Sequence, residues 1–316
     1  MKKILSLFLA LALLLGLTAC KSSSDSPDSG TSAPPQESSV QTGSAADGEE
    51  TPEPDDGGTA DDGQMPEFEG ITVVDNDECL IQITEIDPDN TLGYGLKTTL
   101  ENKSAEKTYM FSVVTASIDG VVCDPVFASQ VAPGKKANEE ITFSTSTLEK
   151  NGLTRFTDIE LGICVYDTNN WMAGNIVEEI VHVYPYGEKH AGVFVRQPQS
   201  GDNIIVDNDI VSVIVTGYEE DSIWGYTANL FILNKSERNI MVSADNASVN
   251  GYMADPFYSR LVPAGKCAFS SMSWSDSTLE ENGITAVEEI EFTLLVYDNG
   301  DWLADALVDE TVTLRP

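Results

Sequence analysis

The 316-residue chain is 41% hydrophobic and 8% aromatic, enough to build cores, which excludes a wholly disordered protein and leaves room for two domains of ordinary size plus extra segments. Its formal charge is −35: residues 21–66 contribute about −10, and the stretch from Glu67 onward about −27. Such a chain repels nucleic-acid phosphates and anionic lipid headgroups and favours solubility, cations and basic partners, although acidity alone describes no more than a solvated surface.

The N-terminus reads as an export signal. Met1-Lys2-Lys3 is basic, Ile4 to Leu17 is nearly all apolar, and the run is too short for a comfortable transmembrane helix. Leu17-Thr18-Ala19-Cys20 resembles the bacterial lipobox, in which small residues precede a cysteine that receives a diacylglyceryl thioether. The resemblance implies a lipoprotein signal peptide over 1–19, cleavage after Ala19, and a lipidated, palmitate-bearing Cys20 as the membrane anchor on the extracytoplasmic face. Two or more acyl chains anchor a protein stably, because each buried methylene contributes about 0.8 kcal/mol.

From Lys21 to Pro66 the chain is Ser, Gly, Asp, Glu, Pro, Thr and Ala, almost without large apolar residues. Residues 20–66 are therefore expected to form a disordered acidic tether, roughly 35–40 Å end to end as a flexible coil and longer under self-repulsion.

Beyond the tether the sequence repeats itself. Val74-Asp75-Asn76-Asp77 returns as Val206-Asp207-Asn208-Asp209, and Asn102-Lys103-Ser104 as Asn234-Lys235-Ser236, both at an offset of 132. Asp119-Gly120 answers Asn250-Gly251 at 131, as do Asp124-Pro125 and Asp255-Pro256, and Ser146-Thr147-Leu148-Glu149 and Ser277-Thr278-Leu279-Glu280. Five blocks in order with one gap define two copies, and the period exceeds that of solenoid repeats, so each copy is a whole domain: 67–186 and 204–316. Gly187 to Asn203 is read as a linker, with Val193-Phe194-Val195 as a candidate added edge strand.

Within each copy the pattern is mainly β. Tyr94, Leu96, Thr98 and Leu100 alternate with polar neighbours, as do Ile159, Leu161, Ile163 and Val165, and in the second copy Ile290, Phe292, Leu294 and Val296. Turn residues separate about seven strands per copy, at spacings typical of antiparallel sandwiches. The exception is Ser-Thr-Leu-Glu-x-Asn-Gly. Ser146 with Glu149, and Ser277 with Glu280, fit a capping box, and Gly152 and Gly283 fit the left-handed helix end. One short helical turn per copy is predicted, with Leu148 and Leu279 plugging the end of the sandwich. The fold class is thus all-β: two tandem antiparallel β-sandwiches, each with one short helical turn, after the disordered tether.

The pattern Gly95-Leu96 through Asn102-Lys103-Ser104, with Asp-Pro and Leu-Glu-x-Asn-Gly-Leu/Ile, resembles the immunoglobulin-like domains of surface lipoproteins of Gram-positive anaerobes, although the second copy has Thr227-Ala228 in place of Gly-Leu. The resemblance spans about residues 70–186 and 204–316. It implies a sandwich and carries no catalytic residues. Cys, Trp and Cys at antibody-domain spacing are absent.

Candidate chemistry is sparse. The two histidines, His182 and His190, have no counterparts in the second copy and sit in no catalytic or metal-binding spacing. Besides Cys20 there are Cys79, Cys123, Cys164 and Cys267, none at equivalent positions and none in a Cys-x-x-Cys. Cys79–Cys123 and Cys79–Cys164 disulfides stay open in an exported protein, while Cys164 at the position of Leu295 reads as a buried small hydrophobe. Asp75 and Asp77, with Asp207 and Asp209, are candidate calcium ligands; none matches an EF-hand loop, and Asp and Asn are ordinary turn formers, so no cofactor is expected beyond that candidate. Trp224 and Tyr226 are candidate contacts for a protein or carbohydrate ligand, while the recurrence of Trp171 and Trp302 suits a structural anchor.

These residues point to a non-enzymatic, lipid-anchored surface protein that binds, adheres or spaces through its duplicated modules, with no nucleic-acid partner. An accessory subunit of a membrane transport or sensing complex is the first alternative. An enzyme acting on wall polymers or peptides is the second, and would need a positioned acid–base pair.

Overall fold

The alternating segments fold as strands, with Tyr94, Leu96, Thr98 and Leu100 buried in one copy and Ile290, Phe292, Leu294 and Val296 in the other. The computed structural model describes residues 65–125, 127–301 and 303–316; the signal peptide, Cys20, nearly all of the tether, and Trp302 lie outside the described residues.

The first repeat comprises β1 (Ile71–Asp75), β2 (Cys79–Asn90), β3 (Gly93–Asn102), β4 (Tyr109–Ile118), β5 (Val121–Val122), β6 (Ala128–Val131), β7 (Lys136–Phe143), α1 (Thr145–Lys150), β8 (Ile159–Asp167) and β9 (Val177–Val183). The second comprises β10 (Asn203–Asp207), β11 (Val211–Ser222), β12 (Gly225–Asn234), β13 (Ile240–Val249), β14 (Tyr252–Met253), β15 (Ser259–Val262), β16 (Cys267–Trp274), α2 (Asp276–Glu281), β17 (Ile290–Asp298) and β18 (Val308–Leu314). Each copy thus has nine strand segments where the sequence suggested about seven, because the short pieces β5 and β14 and the N-terminal strands β1 and β10 are too brief to show period-two alternation.

Each repeat is a two-sheet sandwich of one topology. Sheet β1-β2-β3-β7 faces β4-β8-β9, with β5 and β6 both paired to β4; β10-β11-β12-β16 faces β13-β17-β18, with β14 and β15 on β13. Pairing within each repeat is antiparallel, and the same bulge interrupts β1–β2 after Thr72 and β10–β11 after Ile204. If β2, β3 and β7 are taken as A, B and E, and β4, β8 and β9 as C, F and G, the arrangement is immunoglobulin-like, with β5 and β6 lying beside C. One core gathers Ile81, Leu96, Phe111, Phe143 and Leu161, the other Val213, Ile232, Met272, Trp274 and Phe292.

The recurrent Asn-Lys-Ser is explained by burial. Asn102 and Asn234 are fully enclosed. Asn102 Nδ2 donates to the carbonyls of Lys107 and Val131, both at 2.8 Å, and its Oδ1 accepts from Ser104 N–H at 3.0 Å. Asn234 repeats this with Arg238, Val262 and Ser236. One amide therefore ties two loops together in each copy, and every buried polar atom it brings is satisfied.

The helical corner holds, with its cap corrected. Gly152 and Gly283 have φ of +76° and +68°, and Leu153 and Ile284 donate back to Leu148 and Leu279, a Schellman closure in both copies. Leu148 and Leu279 are buried as plugs. The capping boxes Ser146–Glu149 and Ser277–Glu280 do not form, however. The N-cap of α2 is Ser275, whose Oγ accepts from Thr278 N–H at 3.2 Å, and in α1 the matching Ser144 receives Leu148 N–H on its carbonyl. The helices begin directly after buried Phe143 and Trp274, so the first polar residue caps and the second serine is already helical.

The two sandwiches meet edge to edge. β5 lies parallel beside the start of β16, with Cys267 N–H donating to Gly120 O at 2.9 Å, and this fuses two sheets into one of nine strands. Val122 packs into the core of the second repeat, while Phe231 and Cys267 pack with the first. Lys266 pairs with Glu160 at 2.7 Å and Arg260 with Asp124 at 2.6 Å across the joint. Val193-Phe194-Val195 is not a strand: Phe194 N–H donates to Asp119 O, its ring meets Phe269 edge-on, and the two valines face solvent. Arg196 then grips Asp202 with both guanidinium nitrogens at 2.7 Å and lies over the Phe231 ring. The linker is thus held on the second repeat by an aromatic plug and by Arg196 over Phe231, with the fork to Asp202 bracing Arg196 within the linker.

Two expectations follow. In urea titrations Ser275→Ala should cost about 1 kcal/mol and Ser277→Ala close to none; the reverse order would restore the capping-box reading. The Arg196 fork holds the Asp202 carboxyl down to about 2 from 3.8, so its contribution is complete above the ordinary carboxylate range and fades as pH falls through the folded value. The stability gap between wild type and Asp202→Asn should therefore be full at pH 6 and close between about pH 4 and about pH 2, read by urea titration at each pH.

Candidate functional site

The acidic loops that suggested calcium are occupied by lysine. Lys103 Nζ lies 2.5 Å from Asp75 Oδ1 and Lys235 Nζ 2.5 Å from Asp207 Oδ1, and each ammonium also donates to the carbonyl of the following Asn. The hydrogen bond from Lys235, helped by Ser212, holds the Asp207 carboxyl below its usual range. Asn76 and Asn208 close the turns by accepting two backbone N–H groups each. Asp77 and Asp209 point to solvent. A cation binding at either loop would have to displace a lysine ammonium. Among the described residues no group of three or more His, Cys, Asp or Glu is placed to hold a metal ion.

The aromatic candidates separate. Trp224 is 69% exposed at the tip of the β11–β12 hairpin, but Tyr226 is only 7% exposed, packed between Tyr218 and Trp274. Tyr226 is thus a core residue, since it follows the hairpin glycine and its side chain falls on the inner face. Trp171 is no structural anchor either: it sits exposed in a short 3-10 turn that contains no buried residue.

Neither the histidine nor the thiols assemble a reactive centre. His182 Nδ1 lies 2.7 Å from Asp158 Oδ1 and Nε2 lies 3.5 Å from Glu160 Oε2, so both ring nitrogens face carboxylates. Cys79, Cys123, Cys164 and Cys267 are all buried and free. Burial pushes the thiols of Cys79 and Cys267 up to about 11 and that of Cys123, with Asp124 beside it, to about 12. Such thiols carry almost no thiolate near neutrality. Among the described residues, two shallow concavities lie on the sheet of the first repeat, one lined by Thr84, Lys97, Thr99, Asn138, Glu139 and Glu140, the other by Glu69 to Thr72 with Gln82 to Thr84.

What the copies do share is a set of exposed apolar tips. Leu92 on the β2–β3 hairpin answers Ile223 and Trp224 on β11–β12. At the opposite end, Trp171 and Met172 on the β8–β9 loop answer Leu303 on β17–β18. The hairpins are fixed by close approach: a Cβ on Gly93 or Gly225 would lie about 2 Å from the carbonyl of Phe143 or Trp274. Met172, Ile223 and Leu303 were not singled out from sequence, although large apolar residues inside Asp-, Asn- and Gly-rich turns were the available signal.

No known protein-family profile matches the chain, and no curated protein is similar to it in sequence. Among solved structures, the YadV chaperone is similar over 75% of this chain and 100% of its own, at 10% identity and a TM-score of 0.24. A protein of unknown function from Porphyromonas gingivalis W83 is similar over 72% of this chain and 93% of its own, at 12% identity and a TM-score of 0.18. Likenesses this weak carry no function across.

Thiol titration tests the buried cysteines. In the native chain Cys79, Cys123, Cys164 and Cys267 should resist a disulfide reagent at pH 8, and all four should react in denaturant. Rapid reaction of any of them in the native chain would contradict the burial described.

Proposed function

We propose that the protein is a lipid-anchored, extracytoplasmic binding or adhesion protein, non-catalytic, in which Cys20 holds the chain to the membrane and the acidic tether lifts the paired sandwiches away from it. The observation that carries the binding role is the recurrence of exposed apolar residues on the same loops of both copies: Leu92 with Ile223 and Trp224, and Trp171 and Met172 with Leu303. A core demands matching residues inside, but it places no such demand on loop tips. Large apolar side chains left in water at equivalent positions suit contact with a partner. Trp171, beside Asn169 and Asn170, and Trp224, beside Asp221 and Ser222, suit a ligand with both apolar and hydroxylated surface, such as a carbohydrate or a protein loop. The non-catalytic reading is supported by His182, whose nitrogens both face carboxylates, and by thiols held unreactive through burial.

The anchor is tested by detergent phase separation of bacterial cells expressing the chain. Wild type should enter the detergent phase with an acyl-modified Cys20, and Cys20→Ala should move to the aqueous phase; an aqueous wild type without acyl groups would sink the anchoring. For binding, Trp171→Ala with Trp224→Ala should lower retention on intact cells or extracted wall polymer about tenfold without lowering thermal stability. Unchanged retention would remove the tips from the binding surface.

A further inference from the structure

The joint between the repeats is a template whose two halves each recur, unused, elsewhere in the chain. On the donor side, Val121 of β5 is 0% exposed in the first core, which also takes in Phe231 and Cys267 of the second repeat, and Val122 is 7% exposed because it packs into the second core. Their counterparts at the 131-residue offset, Tyr252 and Met253 of β14, are 54% and 66% exposed, and Phe257 beyond them is also exposed. β14 follows the same turn: Asp119 and Asn250 have φ of 50° and 51°, and each side chain accepts two backbone N–H groups, from residues 157 and 158 or 288 and 289. The geometry that offers β5 to β16 is therefore rebuilt at β14, with larger side chains and, among the described residues, only β13 as a strand partner.

On the acceptor side, β16 receives β5 at Cys267. Its counterpart β7 begins at Lys136, directly after Lys135, and is an edge strand of its sheet. Charge repeats as well. Lys266 pairs with Glu160 across the joint, and the equivalent residues are Lys135 and Glu291, both exposed. The acceptor faces differ in one respect that fits. Phe231, Phe269 and Ile214, which carry the linker residue Phe194 or pack with it, are replaced in the first repeat by Thr99, Asn138 and Gln82. A joint between separate chains brings no linker, so that face has no aromatic plug to receive.

We propose that the protein associates head to tail with a second copy of itself, β14 of one chain adding in parallel to the β7 edge of the next, with Glu291 of the first meeting Lys135 of the second. The interface is heterologous: each chain presents one open donor at β14 and one open acceptor at β7, so association propagates into rows unless the rotation closes a ring. The second internal ion pair is not reproduced, because Ser129 stands where Arg260 stands and faces Asp255 in place of Asp124. The joint between chains is consequently weaker than the internal one, and association is reversible and favoured where anchoring concentrates chains at a surface. The proposal does not depend on the lipid anchor or on the binding role of the loop tips.

Site-directed cross-linking of the purified full chain tests it. Val121 and Cys267 are bridge partners inside the chain, so Tyr252→Cys on one chain and Lys136→Cys on another should fall within disulfide reach. A mixture of the two single variants, oxidised with copper phenanthroline, should give a dimer on a non-reducing gel, and the double variant should give a ladder. Lys135→Glu in the acceptor chain should lower dimer yield about fivefold, and Glu291→Lys in the donor chain should restore it. No dimer in the mixture, equal dimer from either single variant alone, or a yield indifferent to the charge exchange would each overturn the proposal.

Discussion

One backbone hydrogen bond, from Cys267 N–H to Gly120 O, marks the contact on which the rest of the molecule depends. It is a single rung of parallel pairing, and alone it would contribute only about 0.5–1.5 kcal/mol. Its strength comes from what surrounds it: Val122 inside the second core, Phe194 between the linker and Phe269, and two ion pairs that are mostly shielded on the basic side. Through this joint two modules that could have been beads on a string share a nine-stranded sheet. The spacing of the loop tips is consequently set by the fold.

The polar residues that recur in both copies are largely accounted for by backbone satisfaction. Asn102 and Asn234 tie loops, Asn76 and Asn208 close turns, Asp119 and Asn250 organise the turn before β5 and β14, and Lys103 and Lys235 neutralise Asp75 and Asp207. Duplication preserves what folding needs. The residues that differ between copies therefore mark where each copy faces something different. Val121-Val122 against Tyr252-Met253, and Gln82, Thr99 and Asn138 against Ile214, Phe231 and Phe269, lie at the joint or at its unused counterparts.

Much of this was legible in the residues. The repeats, the strands and the left-handed glycines follow from local chemistry that a sequence carries openly: period-two alternation and the absence of a Cβ. Ser275 was missed as the cap because Ser275 and Ser277 offer the same hydroxyl two residues apart, and only the end of β16 decides between them. Tyr226 and Trp171 were misplaced for a related reason, since the side of a strand or turn on which an aromatic falls depends on register with a partner strand. The joint was not legible at all. Val121-Val122 and Tyr252-Met253 both read as short pairs of large side chains after an Asx-Gly turn, and the burial of Val122 arises only when the other repeat is in place. The reading of Trp302 lies outside the described residues.

The central claim is that the two sandwiches are one body held at β5 and β16. Amide hydrogen exchange on the native chain, resolved at Cys267 and compared with core amides of β12 and β17, measures it directly. Cys267 should exchange as slowly as those cores, because its N–H is released only when the joint opens. If Cys267 instead exchanges at the rate of an exposed strand edge while the cores stay protected, the repeats are independent domains and the account of the joint is wrong.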